Sequence, residues 1–498
     1  MARLPGAHAA GGATLAGALA FAGEAVVYHP IMRHFLAPIA ALVLIAPAAA
    51  QDPPAAPHLR ALAAGYKAAF LCSGLFNAGQ TEAQVAADDL TGAYPEYRPL
   101  LSALTATVDR GAKTVSVRFA DDLPPRIAAW RPHLGCAQLP TGADPAAVAH
   151  LPRLKAEAPA ATDALAWPMG DAKAATRLPR AAAARLDAAM AAAFDRAAYG
   201  QTSETTAVLI VKDGRIVGER YRAGYDRHTP QRTWSAAKSL TGTLIGVAVQ
   251  QRLIDVRQPA PIPEWQAPGD PRAEITTENL LHMASGLWSA TAGNRTDDLY
   301  FGGTSVTEQA TGLPLEAKPG TRWRYANNDT LLAARALRHR LGDGDRALAF
   351  PFTDLLWKIG MRRTFPETDW QGNFILSSQV WTTARDLARL ALLYQNDGVW
   401  AGERLLPEGW ARYVATPAPA QPVGRPGGEG YGAQFWLLGG IEGLPADAYA
   451  MQGNRGQYVV IVPSEKLIVV RRGFDAIGGG AGFDAAKFTA AVRAALGN

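Results

Sequence analysis

Residues 233–250 read Thr-Trp-Ser-Ala-Ala-Lys-Ser-Leu-Thr-Gly-Thr-Leu-Ile-Gly-Val-Ala-Val-Gln. The apolar run after Lys238 predicts a long helix opening near Ser235 and ending near Gln251. Ser235 and Lys238 are spaced S-x-x-K, close to one helical turn, so hydroxyl and amine face the same side. A serine hydroxyl is a weak nucleophile and needs a base beside it. A lysine amine serves as that base only when burial or nearby positive charge lowers its pKa. The helix N-terminus adds partial positive charge that favours an anionic nucleophile. Taken alone, the same residues also describe an N-cap serine followed by a solvated lysine, so the surrounding pattern has to decide.

Ninety positions after Ser235, a turn at Pro319-Gly320 leads into Thr321-Arg322-Trp323-Arg324-Tyr325-Ala326-Asn327, a Y-x-N. Between the two lies His282-Met283-Ala284-Ser285-Gly286-Leu287, at the end of a predicted helix. Thr382 to Leu390 (TTARDLARL) reads as a further helix. Near the C-terminus a turn, Gly453-Asn454-Arg455-Gly456, runs into the strand Gln457-Tyr458-Val459-Val460-Ile461-Val462. Upstream, TAVLIVKDGRIVGERY places two apolar strands around Asp213-Gly214, a hairpin signal. Tyr431–Leu438 and Leu467–Arg471 also read as strands, Pro417–Gly430 as a mobile Pro/Gly-rich loop, and 179–198 and 484–496 as helices. Strands at both ends with helices between predict a mixed α/β (α+β) domain whose sheet joins its termini.

The order and spacing of these motifs resemble the β-lactamase-related family, over about residues 200–480. That family includes class C β-lactamases, DD-peptidases, esterases of the same fold and nylon-oligomer (aminohexanoate-oligomer) hydrolases. The resemblance implies the β-lactamase/transpeptidase-like fold: an antiparallel sheet flanked by helices, with a helical domain. It implies Ser235 as nucleophile, Lys238 as its partner and Tyr325 as the phenol that shares their proton. Asn327 would hold the lysine and the substrate. The family's K-T-G position falls on Met451-Gln452-Gly453. The oxyanion hole would then use the Ser235 N–H and that of Asn454, next to Gly453. Here the chain departs from the lactamases, which carry Lys or His where Met451 stands, to bind a substrate carboxylate. Met451 cannot make that charge-assisted contact. Arg455 is a candidate replacement if it points inward. The departure favours an ester or linear amide over a β-lactam, as in the esterase and nylon-oligomer branches. A β-lactamase or DD-peptidase, or a non-catalytic cell-wall module of the same fold, is the alternative.

The remaining sequence sets the context. Met32–Ala50 (MRHFLAPIAALVLIAPAAA) has a basic start, a short apolar run and a small-residue end. It reads as a signal peptide cleaved before Gln51, which implies a periplasmic or secreted protein with no lasting membrane insertion. Residues 1–31 read as an upstream non-functional extension, Asp52–Pro57 as a linker, 58–165 as an N-terminal accessory region with a linker at Ala156–Ala166, and 179–498 as the hydrolase domain. In the accessory region His58–Phe70 and Thr81–Leu90 predict helices, and Lys113–Phe119 with Arg126–Trp130 predicts paired strands. Cys72 and Cys136 are the only cysteines, and an oxidising compartment pairs them. Without an HExxH or paired CxxC they predict no metal site, and no cofactor is implied. A net charge of +5 without a dense Lys/Arg run gives no basis for nucleic-acid binding. His282 reads as a structural residue. Trp234, Trp288 and Trp436 fit either pocket or core, and Asp297 and Asp298 read as solvated loop residues.

Overall fold

The computed structural model describes residues 56–172, 178–289, 296–423, 429–477 and 482–497. The expected signal peptide, the extension before it and part of the 417–430 loop lie outside these residues. Among the described residues no helix is long and apolar enough to cross a membrane.

The described chain opens with α1 (Pro57–Phe76), whose first turn carries a proline, where no N–H is required. It lies on an antiparallel sheet ordered β1 (Ala106–Asp109), β2 (Thr114–Val117), β3 (Arg126–Arg131) and β4 (Gly135–Gln138). Between them, the predicted 81–90 helix forms as Glu82–Val85 under a Thr81/Gln84 capping box, then continues as a π-helical turn, Ala86–Leu90. A disulfide joins Cys72 on α1 to Cys136 on β4. This region does not stand apart: Tyr66, Phe70 and Leu71 share one hydrophobic core with Trp234, Phe301 and Trp381.

The 152–172 segment has little regular structure, yet it is firmly held. Asp171 accepts hydrogen bonds from Arg363, Arg385 and Arg389, and Arg389 also donates to the Pro168 and Gly170 carbonyls. Next comes α2 (Arg180–Ala192), then the predicted hairpin, β5 (Thr205–Lys212) and β6 (Arg215–Tyr221). Its turn residues Asp213 and Gly214 have φ of +48° and +73°, the backbone of a tight hairpin.

The chain continues through α3 (Ala237–Gln250), α4 (Asn327–Leu341) and α5 (Ala384–Gln395) and returns as β7 (Gly430–Tyr431), β8 (Trp436–Leu437), β9 (Tyr449–Gly453), β10 (Gln457–Val462) and β11 (Leu467–Gly473), followed by α6 (Ala485–Leu496). These strands and the hairpin make one sheet of order β7-β8-β9-β10-β11-β5-β6, antiparallel at every step, so the domain's two ends do join in it. Alternation sorts its side chains. Leu209, Val211, Val459, Ile461 and Val470 face the core containing α3 and α5. Val208, Ile210, Val460 and Val469 face α2 and α6.

The expected single strand 431–438 is instead two short strands around a turn, with Gln434 at φ +64°. The reason is polar. The Gln434 backbone and side chain donate to the Leu280 and Leu281 carbonyls, and its amide oxygen accepts from Thr330. These bonds outweigh the strand pattern.

The Cys72–Cys136 bridge closes a separation of 64 residues. Loop-closure entropy at that length stabilises by about 4 kcal/mol. Protein alkylated without reductant should therefore show no modified cysteine by intact mass. A Cys72→Ser/Cys136→Ser variant should unfold at lower denaturant concentration, with a loss of about 2–4 kcal/mol.

Candidate active site

The site forms where a turn, two helix starts and a strand end meet. Trp234 stands just before Ser235 in the left-handed region, at φ +50°. A bulky residue there costs about 1–3 kcal/mol, so its surroundings must hold it. The Arg232 guanidinium does so: it lies 4.0 Å from the Trp234 ring and 4.8 Å from that of Phe70, and donates to Ser378 Oγ at 3.0 Å. A short 3₁₀ turn, Trp234–Ala236, then feeds α3.

One turn on, Lys238 is buried, at 1% exposure. Its Nζ donates to Ser235 Oγ at 3.2 Å, to Asn327 Oδ1 at 2.5 Å and to the Ser377 carbonyl at 2.9 Å. All three acceptors are neutral. Burial pulls the lysine down to about 7. Asn327 begins α4 and donates from Nδ2 to Thr296 Oγ1 at 3.2 Å, which turns its oxygen toward the lysine. Tyr325 presents its ring 5.0 Å from Lys238 Nζ. It packs against Trp436, Tyr431 and Trp323, with centroids 5.3–6.3 Å apart.

The end of β9 closes the opposite side. A Cβ on Gly453 would lie 2.1 Å from the Thr233 carbonyl oxygen and 3.0 Å from the Ala236 nitrogen, so only glycine lets the strand come this close to the turn bearing Ser235. Asn454 is exposed, and its side chain accepts from the Arg455 N–H at 2.9 Å. Met451 is fully buried in the core shared with Ala237 and Leu240. Arg455 points away from Ser235, donating to the carbonyls of Asp88, Asp89, Phe474 and Asp475. It does not replace the lactamase cation.

Several groups here have no signal in the local sequence. The Ser377 carbonyl that receives Lys238 belongs to no motif, and Ser377 Oγ is bonded to the Tyr300 hydroxyl at 2.6 Å. Ser285, within the His282–Leu287 segment, donates from Oγ to Asp329 Oδ1 at 2.8 Å and from its N–H to Oδ2 at 3.3 Å. This bond ties that segment to the first turn of α4, beside Asn327. Burial raises Asp329 to about 7 despite those bonds. His282 is buried against Tyr413 and kept neutral by desolvation. Trp234 and Trp436 are buried, whereas Trp288 is 42% exposed. Asp298 is exposed, as expected, whereas Asp297 is half-buried, and neither lies in a loop. They start a short helix, where Asp297 accepts from the Tyr97 hydroxyl at 2.5 Å and Asp298 meets His58 at 3.0 Å. Partners some 200 residues upstream are invisible to local composition.

The Beta-lactamase family model matches residues 187–471. The chain belongs to the β-lactamase family. It is a hydrolase of the β-lactamase fold, of the serine-hydrolase class. The 6-aminohexanoate-dimer hydrolase of Paenarthrobacter ureafaciens is 25% identical to it over 303 residues, covering 54% of this chain and 72% of that protein. Two solved structures share the fold at TM-score 0.50. A family VIII carboxylesterase is 16% identical and covers 64% of this chain and 98% of its own. A penicillin-binding protein homologue from Caulobacter crescentus is 14% identical and covers 64% and 99%. The family match leaves the N-terminal third of this family member outside it.

The Ser285–Asp329 contact is open to a direct test. Ser285→Ala leaves a buried carboxyl without its hydroxyl partner and should lower unfolding stability by about 1–3 kcal/mol. Asp329→Asn, which keeps the shape and removes the charge, should cost less in the same denaturation assay.

Proposed function

We propose that this protein is an exported hydrolase that cleaves an ester or linear amide through an acyl-enzyme on Ser235, with Lys238 and Tyr325 as its acid/base network. The observation that carries this reading is the buried Lys238 amine, 3.2 Å from Ser235 Oγ and lowered to about 7. A lysine in that state is substantially deprotonated near neutral pH; its two remaining N–H groups donate to Asn327 and the Ser377 carbonyl, and its lone pair faces the Ser235 hydroxyl.

In this scheme the Ser235 proton passes to Lys238 or to the Tyr325 oxygen as Oγ attacks the substrate carbonyl carbon. The oxyanion sits between the Ser235 and Asn454 N–H groups, with Gly453 allowing the strand to approach. The network returns the proton to the leaving alcohol or amine as the C–O or C–N bond breaks. Water, losing its proton to the same groups, then attacks the acyl carbon; the acyl C–Oγ bond breaks, the network returns that proton to Ser235 Oγ, and the carboxylic acid leaves. Asn327 holds the lysine and reaches the substrate.

Charge at the strand edge bears on the substrate class. The strand position where lactamases bind a carboxylate holds the buried Met451, and Arg455 is committed elsewhere. An acyl group without an anionic handle fits this edge better than a penicillin does. The similarity to a 6-aminohexanoate-dimer hydrolase supports amide cleavage. Residues 179–498 act as the catalytic domain and 58–165 as an accessory region built onto it. A disulfide in a protein preceded by a signal-like segment supports a periplasmic or secreted location.

On one preparation, a short-chain nitrophenyl ester should be turned over faster than a chromogenic cephalosporin; the reverse order would favour the penicillin-recognising alternative. Ser235→Ala should lose at least about a thousandfold in kcat/KM while keeping its fold.

The neutral amine is the active form, so kcat/KM for the ester should rise with pH through about 7 and level off above it. A profile flat from pH 5 to 9 would remove Lys238 from the acid/base role. Tyr325→Phe should harm an anilide more than a nitrophenyl ester, because an amine must be protonated to leave and nitrophenolate need not be. Equal losses on both substrates would remove Tyr325 from that role.

A further inference from the structure

Arg455 directly follows Asn454, yet its guanidinium is spent wholly on structure. It is 4% exposed and carries the backbone at φ +57°. Its Nη2 donates to the Asp88 carbonyl at 2.8 Å and the Phe474 carbonyl at 3.0 Å. Nη1 reaches the Asp89 carbonyl at 3.4 Å, and Nε the Asp475 carbonyl at 3.2 Å. The Phe474 ring lies 5.2 Å from its guanidinium carbon. Asp88 and Asp89 belong to the π-helical turn of the N-terminal region, 367 and 366 residues away in sequence.

That turn is itself anchored to the catalytic domain. Asp88 Oδ2 accepts from Arg222 at 2.6 Å and from the Tyr225 hydroxyl at 2.5 Å, and the Asp89 carbonyl also accepts from Tyr66 on α1 at 3.3 Å. The far side of the Gly453–Gly456 turn is held as well, since Arg471 donates to the Gly456 carbonyl at 2.8 Å. The turn is therefore gripped on one side by Arg471 and on the other by Arg455, which is shared between Phe474 and Asp475 at the end of the sheet and Asp88 and Asp89 of the N-terminal region, upstream of the family match at 187–471.

We propose that Arg455 is a positioning residue for the oxyanion-side turn, and that the Ala86–Leu90 turn of the N-terminal region is the anchor through which it acts. This rests on the proposed mechanism, in which the Asn454 N–H faces the oxyanion. Backbone placement there matters because an N–H stabilises the oxyanion only when aimed at the site that atom will occupy. A shift of about 1 Å in such a group can cost about a hundredfold in rate. Four backbone carbonyls around one guanidinium fix its plane and, through the chain, the residue before it. The N-terminal region thereby supplies two of the four carbonyls that hold this guanidinium, beside those of Phe474 and Asp475 in the hydrolase domain.

Gly92 offers a second handle on the same contact. A Cβ there would lie 2.0 Å from Arg455 Nη2, so Gly92→Ala pushes the guanidinium off its carbonyls without altering Arg455 itself.

The test uses the full-length enzyme and a nitrophenyl ester, with phenylboronic acid as the probe that forms a tetrahedral adduct on the nucleophile. A fluorophosphonate titration counts folded, reactive sites, and peptide mapping locates the adduct. Per titrated site, Arg455→Ala and Gly92→Ala should lower kcat about 10–100-fold, with KM within about twofold. Boronate affinity should fall in parallel with kcat, and the acid limb near pH 7 should stay, because Lys238 is untouched. Arg455→Lys, which keeps a cation and some donors, should recover part of the loss. A merely structural role predicts fewer titrated sites with normal kcat and normal boronate affinity per site; that result, or wild-type kinetics in Arg455→Ala and Gly92→Ala, would overturn the proposal. A fluorophosphonate adduct mapping away from Ser235 in the native enzyme would instead overturn the Ser235 reading and this inference with it.

Discussion

The desolvation of the Lys238 amine is the constraint around which the site is arranged. A charged ammonium so deeply buried would need a carboxylate, and the groups that receive this one are a hydroxyl, an amide oxygen and a backbone carbonyl. They accept its hydrogen bonds but bring no negative charge to set against the burial. Burial thereby lowers the amine toward neutrality, next to the Ser235 hydroxyl. Each acceptor comes from a different place in the fold: the start of α3, the start of α4 and the segment before the Val380–Thr382 strand. The lysine can be buried only once all of these have packed together, so its depressed pKa is a property of the tertiary fold and not of the S-x-x-K spacing.

Much of the surrounding structure serves to hold those pieces. Arg232 stacks beneath Trp234 and fixes the turn into α3. Ser285 and Asp329 fix the start of α4. The N-terminal region grips the third piece: Arg126 and Gln138 donate to the Phe301 and Tyr300 carbonyls, and the Tyr300 hydroxyl is bonded to Ser377, whose carbonyl meets the lysine. On α1 and β4, Ser73, Asn77 and the Cys136 N–H all converge on the buried Glu367. The disulfide thus braces a region that is joined to the catalytic domain by many polar contacts.

Local patterns in the sequence carried most of the fold. The hairpin around Asp213-Gly214, the helix after Ser235 and the strand Gln457–Val462 are short-range signals, because periodicity and turn chemistry act between near neighbours. The Ser235–Lys238 pair and Asn327 were legible through ordered motifs. What stayed hidden depends on distant partners. The Tyr431–Leu438 pattern looked like one strand because the bonds that break it run to Leu281 and Thr330. Asp297 looked solvated because its partner is Tyr97. Arg455 looked free to face the substrate because nothing nearby in sequence reveals the carbonyls of Asp88 and Asp89. The arginines of TTARDLARL gave no hint that they would clasp the segment around Asp171.

The central claim is that Ser235, activated by a neutral Lys238, carries the acyl group. Rapid acid quenching during turnover of a slowly deacylating ester, followed by peptide mass mapping, observes that species directly. The account predicts a peptide containing Ser235 heavier by the mass of the acyl group, appearing before steady state and absent in Lys238→Ala. Acylation at another residue, or steady turnover with no acylated peptide at any quench time, would contradict it.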